Sequence, residues 1–205
     1  MKTFQEIILE LNKPKELSKL RKDISYVDSV DTRDNSWMRT VGSVFKDKGF
    51  DLLGSGKYGS VFGHKKYPYV LKIFMKDSAY LRWIKFAMDN KNNPYVPKIR
   101  GKVVKITPMI YAIRLEKLTP GSFSGPFAEA YRQWQSDPNY ISDDKNIQDI
   151  LDYFQKNKKL LDLHSDNVMM RGNQMVVIDP FYNWFDKHNV MDYTIGTDDF
   201  DKSVF

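Results

Sequence analysis

The stretch DLLGSGKYGSVFGHKKYPYVLKIF, Asp51 to Phe74, decides the fold. Gly54, Gly56, Gly59 and Val61 space themselves as Gly-x-Gly-x-x-Gly-x-Val. Glycine lets a turn tighten and lets backbone N–H groups approach phosphates that a Cβ would hold off. A dinucleotide-binding loop of this spacing runs directly into a helix. Here β-branched Val61 and then Phe62 follow, so the chain continues as a strand. The reading is a strand–loop–strand hairpin over a nucleotide, with Gly54, Ser55, Gly56, Lys57, Gly59 and Val61 as contacting candidates. The next strand, Tyr69 to Phe74, carries Lys72 inside an apolar run. A buried ammonium needs a partner, whereas one on an edge strand points at water. Lys72 stands 13 residues after Gly59, which suits a lysine that grips the α- and β-phosphates of ATP.

A second constellation lies downstream. Asp162-Leu163-His164-Ser165-Asp166-Asn167 is followed, 12 residues after Asn167, by Asp179-Pro180. Phosphoryl transfer needs a carboxylate to orient a hydroxyl and accept its proton, and hard oxygen ligands for Mg²⁺. Asp162 fits the first role, and Asn167 and Asp179 fit the second. His164, two residues after the base, could face the transferred phosphate or serve only as a hydrogen-bonding side chain. A rival parse makes Asp166 the base. The residue five positions on is then Arg171 instead of an amide, so the Asp162 parse is preferred.

Around these motifs the pattern is mixed. Phe4, Ile7, Ile8 and Leu11 share one helical face, and Trp37, Val41, Val44 and Phe45 share another. Ser36 is a candidate N-cap for the second helix and Gly49 its stop. Ser78 to Asn90 and Ile147 to Asn157 read as helices. Lys102 to Ile106, Met109 to Leu115, Val168 to Met170 and Met175 to Ile178 read as strands, the last two around Gly172-Asn173. Thr119 to Pro126, with two Gly and two Pro, reads as a hinge. The expected class is therefore α+β: an N-terminal helical extension over 1–35, a β-rich lobe over 36–118, and a reduced helical lobe with an acidic tail over 119–205.

Composition narrows the function. The chain has 205 residues and is 14% aromatic, which excludes disorder throughout. It has no cysteine, so disulfides and thiolate chemistry are excluded. The net charge of +6 is uneven: Lys57 to Lys105 holds 12 Lys/Arg against Asp77 and Asp89, a net of +10. Asp192 to Phe205 carries a net of −3. A basic stretch suits nucleotide phosphates, nucleic acid or an acidic protein, or is simply a solvated surface. The first residues, MKTFQEIILELNK, are interrupted by Glu6 and Glu10 and do not read as a signal peptide. No run approaches the roughly 20 apolar residues of a membrane span, and a cytoplasmic location is expected.

Taken together, GSGKYGSV, VLKI, DLHSDN and IDP resemble a minimal, atypical protein kinase-like fold of two lobes, over roughly Trp37 to Trp184. The Asp-x-His-x-x-Asn string is similar to the catalytic loops of atypical and antibiotic-kinase-like families. The chain also resembles the early host-directed Ser/Thr protein kinases of T-seven-like phages, in the Trp-bearing helix that leads into the glycine loop and in LHSDNVMM. That resemblance implies ATP and Mg²⁺ as cofactors, host proteins as substrates, and the host cytoplasm as location. It assigns Lys72 and the glycine loop to ATP, Glu116 and Leu118 to the adenine pocket, Asp162 to the base, and Asn167 and Asp179 to Mg²⁺. Two departures stand out. The helix after Lys72 offers only Asp89 near its end, with Asp77 just before it, as a partner acid. Phe181 follows Pro180 where a flexible glycine is usual, and with 26 residues after Asp179, control by activation-loop phosphorylation is not expected. Three alternatives therefore stand beside a protein kinase. One is a pseudokinase or binding module that captures a host protein. Another is a small-molecule kinase with an acidic pocket from Asp137, Asp143 and Asp144. The last is direct nucleic-acid binding, the least favoured.

Overall fold

A computed structural model describes residues 36–56, 58–106 and 109–182. The Phe4–Leu11 helix, Lys57, the acidic tail and the side chains of Trp37 and Val44 lie outside the described residues. The class is mixed α+β. The order is α1 (Ser36–Asp47), β1 (Asp51–Ser55), β2 (Gly59–Gly63), β3 (Tyr69–Met75), α2 (Ser78–Asp89), β4 (Val104–Lys105) and β5 (Ile110–Glu116). Then come α3 (Pro126–Ser136), α4 (Lys145–Lys156), β6 (Val168–Arg171) and β7 (Gln174–Val177). β1 to β5 form one sheet in the order β1-β2-β3-β5-β4, and β6 pairs with β7. Contacts divide the described chain into two units, 36–76 with 101–114, and 77–100 with 115–182. The segment from Thr119 to Pro126, expected as a hinge, lies inside the second unit.

The first unit is built on periodicity. Val41 and Phe45, one turn apart on α1, are buried with Phe62, Leu71, Ile73, Ile110 and Ala112. α1 ends where glycine permits it. Gly49 has φ 83°, its N–H donates to Lys46 O at 2.9 Å, and Phe50 N–H donates to Phe45 O at 3.0 Å. That is a Schellman stop. Phe50 then packs edge-on against Phe45, with ring centroids 5.7 Å apart.

The second unit is an aromatic cluster. Asp77 caps α2, its Oδ1 accepting from Ala79 N and Tyr80 N, both at 2.9 Å. Asp144 caps α4 in the same way, accepting from Asn146 N at 2.8 Å. These caps orient two helices whose buried faces meet: Trp83 from α2 lies 6.1 Å from Phe154 of α4 between ring centroids. Phe154 also meets Phe127, Tyr131 and Phe181, each within 6.3 Å. Phe154 is 0% exposed. Phe154→Ala should therefore cost about 3–5 kcal/mol, read as a lowered urea midpoint at unchanged slope.

Candidate active site

The residues singled out by sequence fall in both units, and each group has its own local geometry. In the first unit, register decides which side chains share a face. β1 pairs with β2 as Gly54↔Val61 and Ser55↔Ser60, and β2 pairs with β3 as Val61↔Lys72. Partners across an antiparallel pair point to the same side. Gly54, Val61 and Lys72 therefore lie on one face, opposite the face on which Phe62, Leu71 and Ile73 meet α1. β3 is the middle strand of five, so Lys72 is not an edge-strand lysine. It is half-buried in a strand whose other six residues are all buried.

Ser55 differs from its neighbours. Its hydroxyl lies 3.2 Å from Ser60 Oγ and donates to Met38 Sδ, on the α1 side of the sheet. A register shift between Leu52 and Gly54 sets this parity. The Ser55 side chain thus faces away from Lys72, and only its backbone remains for a nucleotide.

The three loop glycines separate into two kinds. A Cβ on Gly59 would stand 2.8 Å from Ile73 O and 3.0 Å from Phe74 Cβ, so its glycine is required by the β2–β3 pairing. Among the described residues a Cβ on Gly54 or Gly56 would meet nothing within 4 Å, and neither has positive φ. Neither packing nor backbone conformation demands glycine there. Close approach of a ligand to the main chain would. Gly56→Ala should accordingly leave thermal stability intact or slightly raised while weakening ATP binding. Gly59→Ala should lower the melting temperature. Thermal melts beside a nucleotide titration check both.

In the second unit, main-chain hydrogen bonds gather the second constellation. Asn167 O accepts from Ile178 N at 2.9 Å and from Asp179 N at 3.4 Å. Asp162 N donates to Pro180 O at 2.8 Å, and Tyr182 N donates to Leu160 O at 3.0 Å. The β6–β7 hairpin, turning at Gly172 with φ 60°, returns the chain so that these bonds can form. Asp162, Asn167 and Asp179 are thereby tied to one another within a few residues of main chain. Asn167 Nδ2 donates to Asp162 O at 2.6 Å. A carbonyl only accepts, so this bond commits Nδ2 to Asp162 O and leaves Oδ1 as the oxygen of the amide that could act as a hard ligand. Among the described residues no group of three or more His, Asp or Glu is placed to hold a metal by itself. An amide and a carboxylate are enough where phosphates and water complete an Mg²⁺ shell, so the donor set at Asn167 and Asp179 fits that ion.

His164 sits beside the proposed base. Its Nδ1 accepts from Asp166 N at 3.3 Å. Neutral imidazole then carries its proton on Nε2, which lies 3.9 Å from Asp162 Oδ2. The two candidate bases differ in setting: the Asp166 side chain is 89% exposed and that of Asp162 52%. Tyr131 of α3, not singled out by sequence, is held protonated to higher pH by burial and then by the charge of Asp162.

Glu116 has a different environment from the one expected. Its carboxylate forms a buried ion pair with Arg171, with Nε donating to Oε2 at 2.8 Å and Nη2 donating to Oε1. It also accepts from Lys98 N at 2.7 Å. Burial alone would raise its pKa. The hydrogen bonds from Arg171 and Lys98 N, with the charges of both residues, outweigh that and hold it below its ordinary value. The Glu116 N–H also donates to Lys98 O. Any contact to an adenine base would therefore fall to the Glu116 carbonyl and to the main chain at Leu118. Arg171 is the residue the rival parse would place among the metal ligands, and a guanidinium cannot serve there.

The acids near Lys72 in sequence also have local roles. Asp89 pairs with Lys85 at 2.9 Å, and Asp77 commits Oδ1 to the α2 cap. Of the acidic trio proposed for a cationic substrate, Asp144 caps α4 and Asp137 Oδ1 accepts from Asn139 N at 2.9 Å. Among the described residues no helix is long and apolar enough to cross a membrane.

No protein-family model matches the chain, and no curated protein does. Among solved structures it is similar to Rad53 1-466 in complex with AMP-PNP, with a TM-score of 0.38 and 14% identity over 71% of this chain. It spans 42% of that chain's length.

Proposed function

We propose that the chain is a two-lobed, kinase-like phosphotransferase that moves the γ-phosphoryl group of Mg·ATP to Ser or Thr hydroxyls of proteins. One observation carries the reading: the main chain ties Asp162, Asn167 and Asp179 together while Asn167 Nδ2 donates to Asp162 O. In this scheme Asp162 accepts the hydroxyl proton as the acceptor oxygen attacks. Asn167 and Asp179 hold the metal, and Lys72 neutralises phosphate charge beside the bare backbone of Gly54 and Gly56. His164 keeps Nε2–H toward the Asp162 carboxylate. Mg·ATP supplies the transferable group and the cation that offsets its charge. The resemblance to early phage kinases supports host proteins as substrates and the host cytoplasm as the place of action. A small-molecule kinase is less favoured, because Asp137 and Asp144 are engaged in turns and caps. A binding module without catalysis is the second reading, favoured by Asp89, the one acid of α2, pairing with Lys85.

The test is transfer of label from γ-labelled ATP to the protein itself and to a bacterial lysate, with Mg²⁺ and with chelator. Label that needs Mg²⁺ and is lost in Asp179→Asn supports phosphotransfer. No label on either, together with host proteins retained by the immobilised chain in the absence of ATP, would transfer support to the binding module.

A further inference from the structure

Arg171 connects more of the second unit than its partner Glu116 alone. Nη1 donates to Pro94 O at 2.7 Å and Nη2 to Val96 O at 2.9 Å, besides the fork onto Glu116. A short ladder runs beside it: Thr119 N donates to Met170 O at 3.0 Å and Met170 N to Thr119 O at 2.8 Å. One guanidinium thus joins the 94–98 segment, the end of β5, and the tip of the β6–β7 hairpin. The opposite end of that hairpin carries Asn167 and Asp179. Its base is tied to 160–162 by main-chain bonds, its edges are held by the Thr119–Met170 pair and by Val177 N donating to Tyr95 O at 2.9 Å, and Arg171 is the side chain that anchors its tip. Asn167 and Asp179 are four residues before and eight after Arg171, so a shift of the tip is passed along both strands to the residues that carry the two side chains.

The geometry points to Arg171 as a positioning residue for metal-dependent phosphotransfer. Through the hairpin it fixes Asn167 and Asp179, and through Glu116 it fixes the strand end that leads to Leu118. This rests on the function proposed above. The role needs the planar fork of arginine. Lysine keeps the charge, but its three donors radiate from one nitrogen and cannot span Glu116, Pro94 and Val96 as the planar fork does.

The experiment is Mg²⁺ titration of label transfer at saturating ATP, for wild type, Arg171→Lys and Glu116→Gln, with thermal melts of each. Arg171→Lys should raise the Mg²⁺ concentration for half-maximal transfer by about 10-fold or more, the usual effect of losing a partner behind metal ligands. Binding of ATP in chelator should change far less. A role in stability alone would lower the melting temperature and leave the Mg²⁺ requirement where it was, which overturns the proposal. Should Arg171→Lys fail to fold, Glu116→Gln decides, since it keeps size and one acceptor but loses the charge that holds the fork. The same rise in Mg²⁺ requirement is expected there, and a wild-type requirement overturns the role. A wild type that neither transfers label nor binds Mg·ATP overturns the phosphotransfer reading and this proposal together. A working wild type beside an unaltered variant overturns the role of Arg171 alone.

Discussion

Asp162→Asn should lower the rate of label transfer by about 10²–10⁴-fold, the usual contribution of a positioned general base, with ATP affinity little changed. The amide keeps the shape of the side chain but cannot take a proton. Its main-chain N–H can still donate to Pro180 O, so the local fold should survive. Asp166→Asn is the informative control. Its carboxylate is almost wholly in solvent, and its backbone N–H, not its side chain, makes the bond to His164 Nδ1. Transfer by Asp166→Asn should stay near wild type. Single-turnover rates for the two variants separate the parses, and the reverse order would reassign the base to Asp166.

Arg171→Met should be strongly destabilising, at roughly 3–5 kcal/mol. Glu116 is 9% exposed, and without the guanidinium only the Lys98 N–H remains to its carboxylate. Arg171 itself is 24% exposed, which places the expectation toward the lower end. The pH dependence has a definite sign. Glu116 has its pKa lowered in the folded protein. The stability it contributes is therefore present above its unfolded value, about 4.3, and is lost as pH falls through the lowered folded value. In Arg171→Met the same group is protonated more readily and its charge is removed earlier. The gap between wild type and variant should narrow as pH falls through the carboxylate range, beginning above the unfolded value. Urea midpoints from pH 7 down to pH 3 measure it, and a gap that widens on acidification would contradict the assignment of the penalty to Glu116.

What could be read from the sequence depended on how locally each feature is determined. The strand after the glycine loop was legible because Val61 and Phe62 suit a strand, and β2 forms there. Gly49 and Gly172-Asn173 mark turns whose backbone needs are local, and both glycines have positive φ. The grouping of Asp162, Asn167 and Asp179 followed from spacing plus one hairpin. The start of α3 at Pro126 was hidden, because the same Gly and Pro that read as a hinge also suit a proline at the first helical turn. The direction of Ser55 was not legible either. It depends on a register shift one residue wide, and one residue reverses every face. The Glu116–Arg171 pair lies 55 residues apart in sequence, and no local pattern announces it.

The division of the chain has a consequence for its heredity. The described chain passes between the two units at three points, 76/77, 100/101 and 114/115. A single break in the gene can therefore release neither unit whole. A fragment beginning at Thr119 would carry Phe154 and Phe181 but not Trp83, the large ring that packs against both. Recombination with a related gene at any one of these points would leave at least one unit with elements from two parents. With a crossover at 100/101 or 114/115, helix α2 and the 160–167 loop would come from different parents. Exchange of a unit as an intact module needs more than one simultaneous crossover, so the segments are expected to be inherited together.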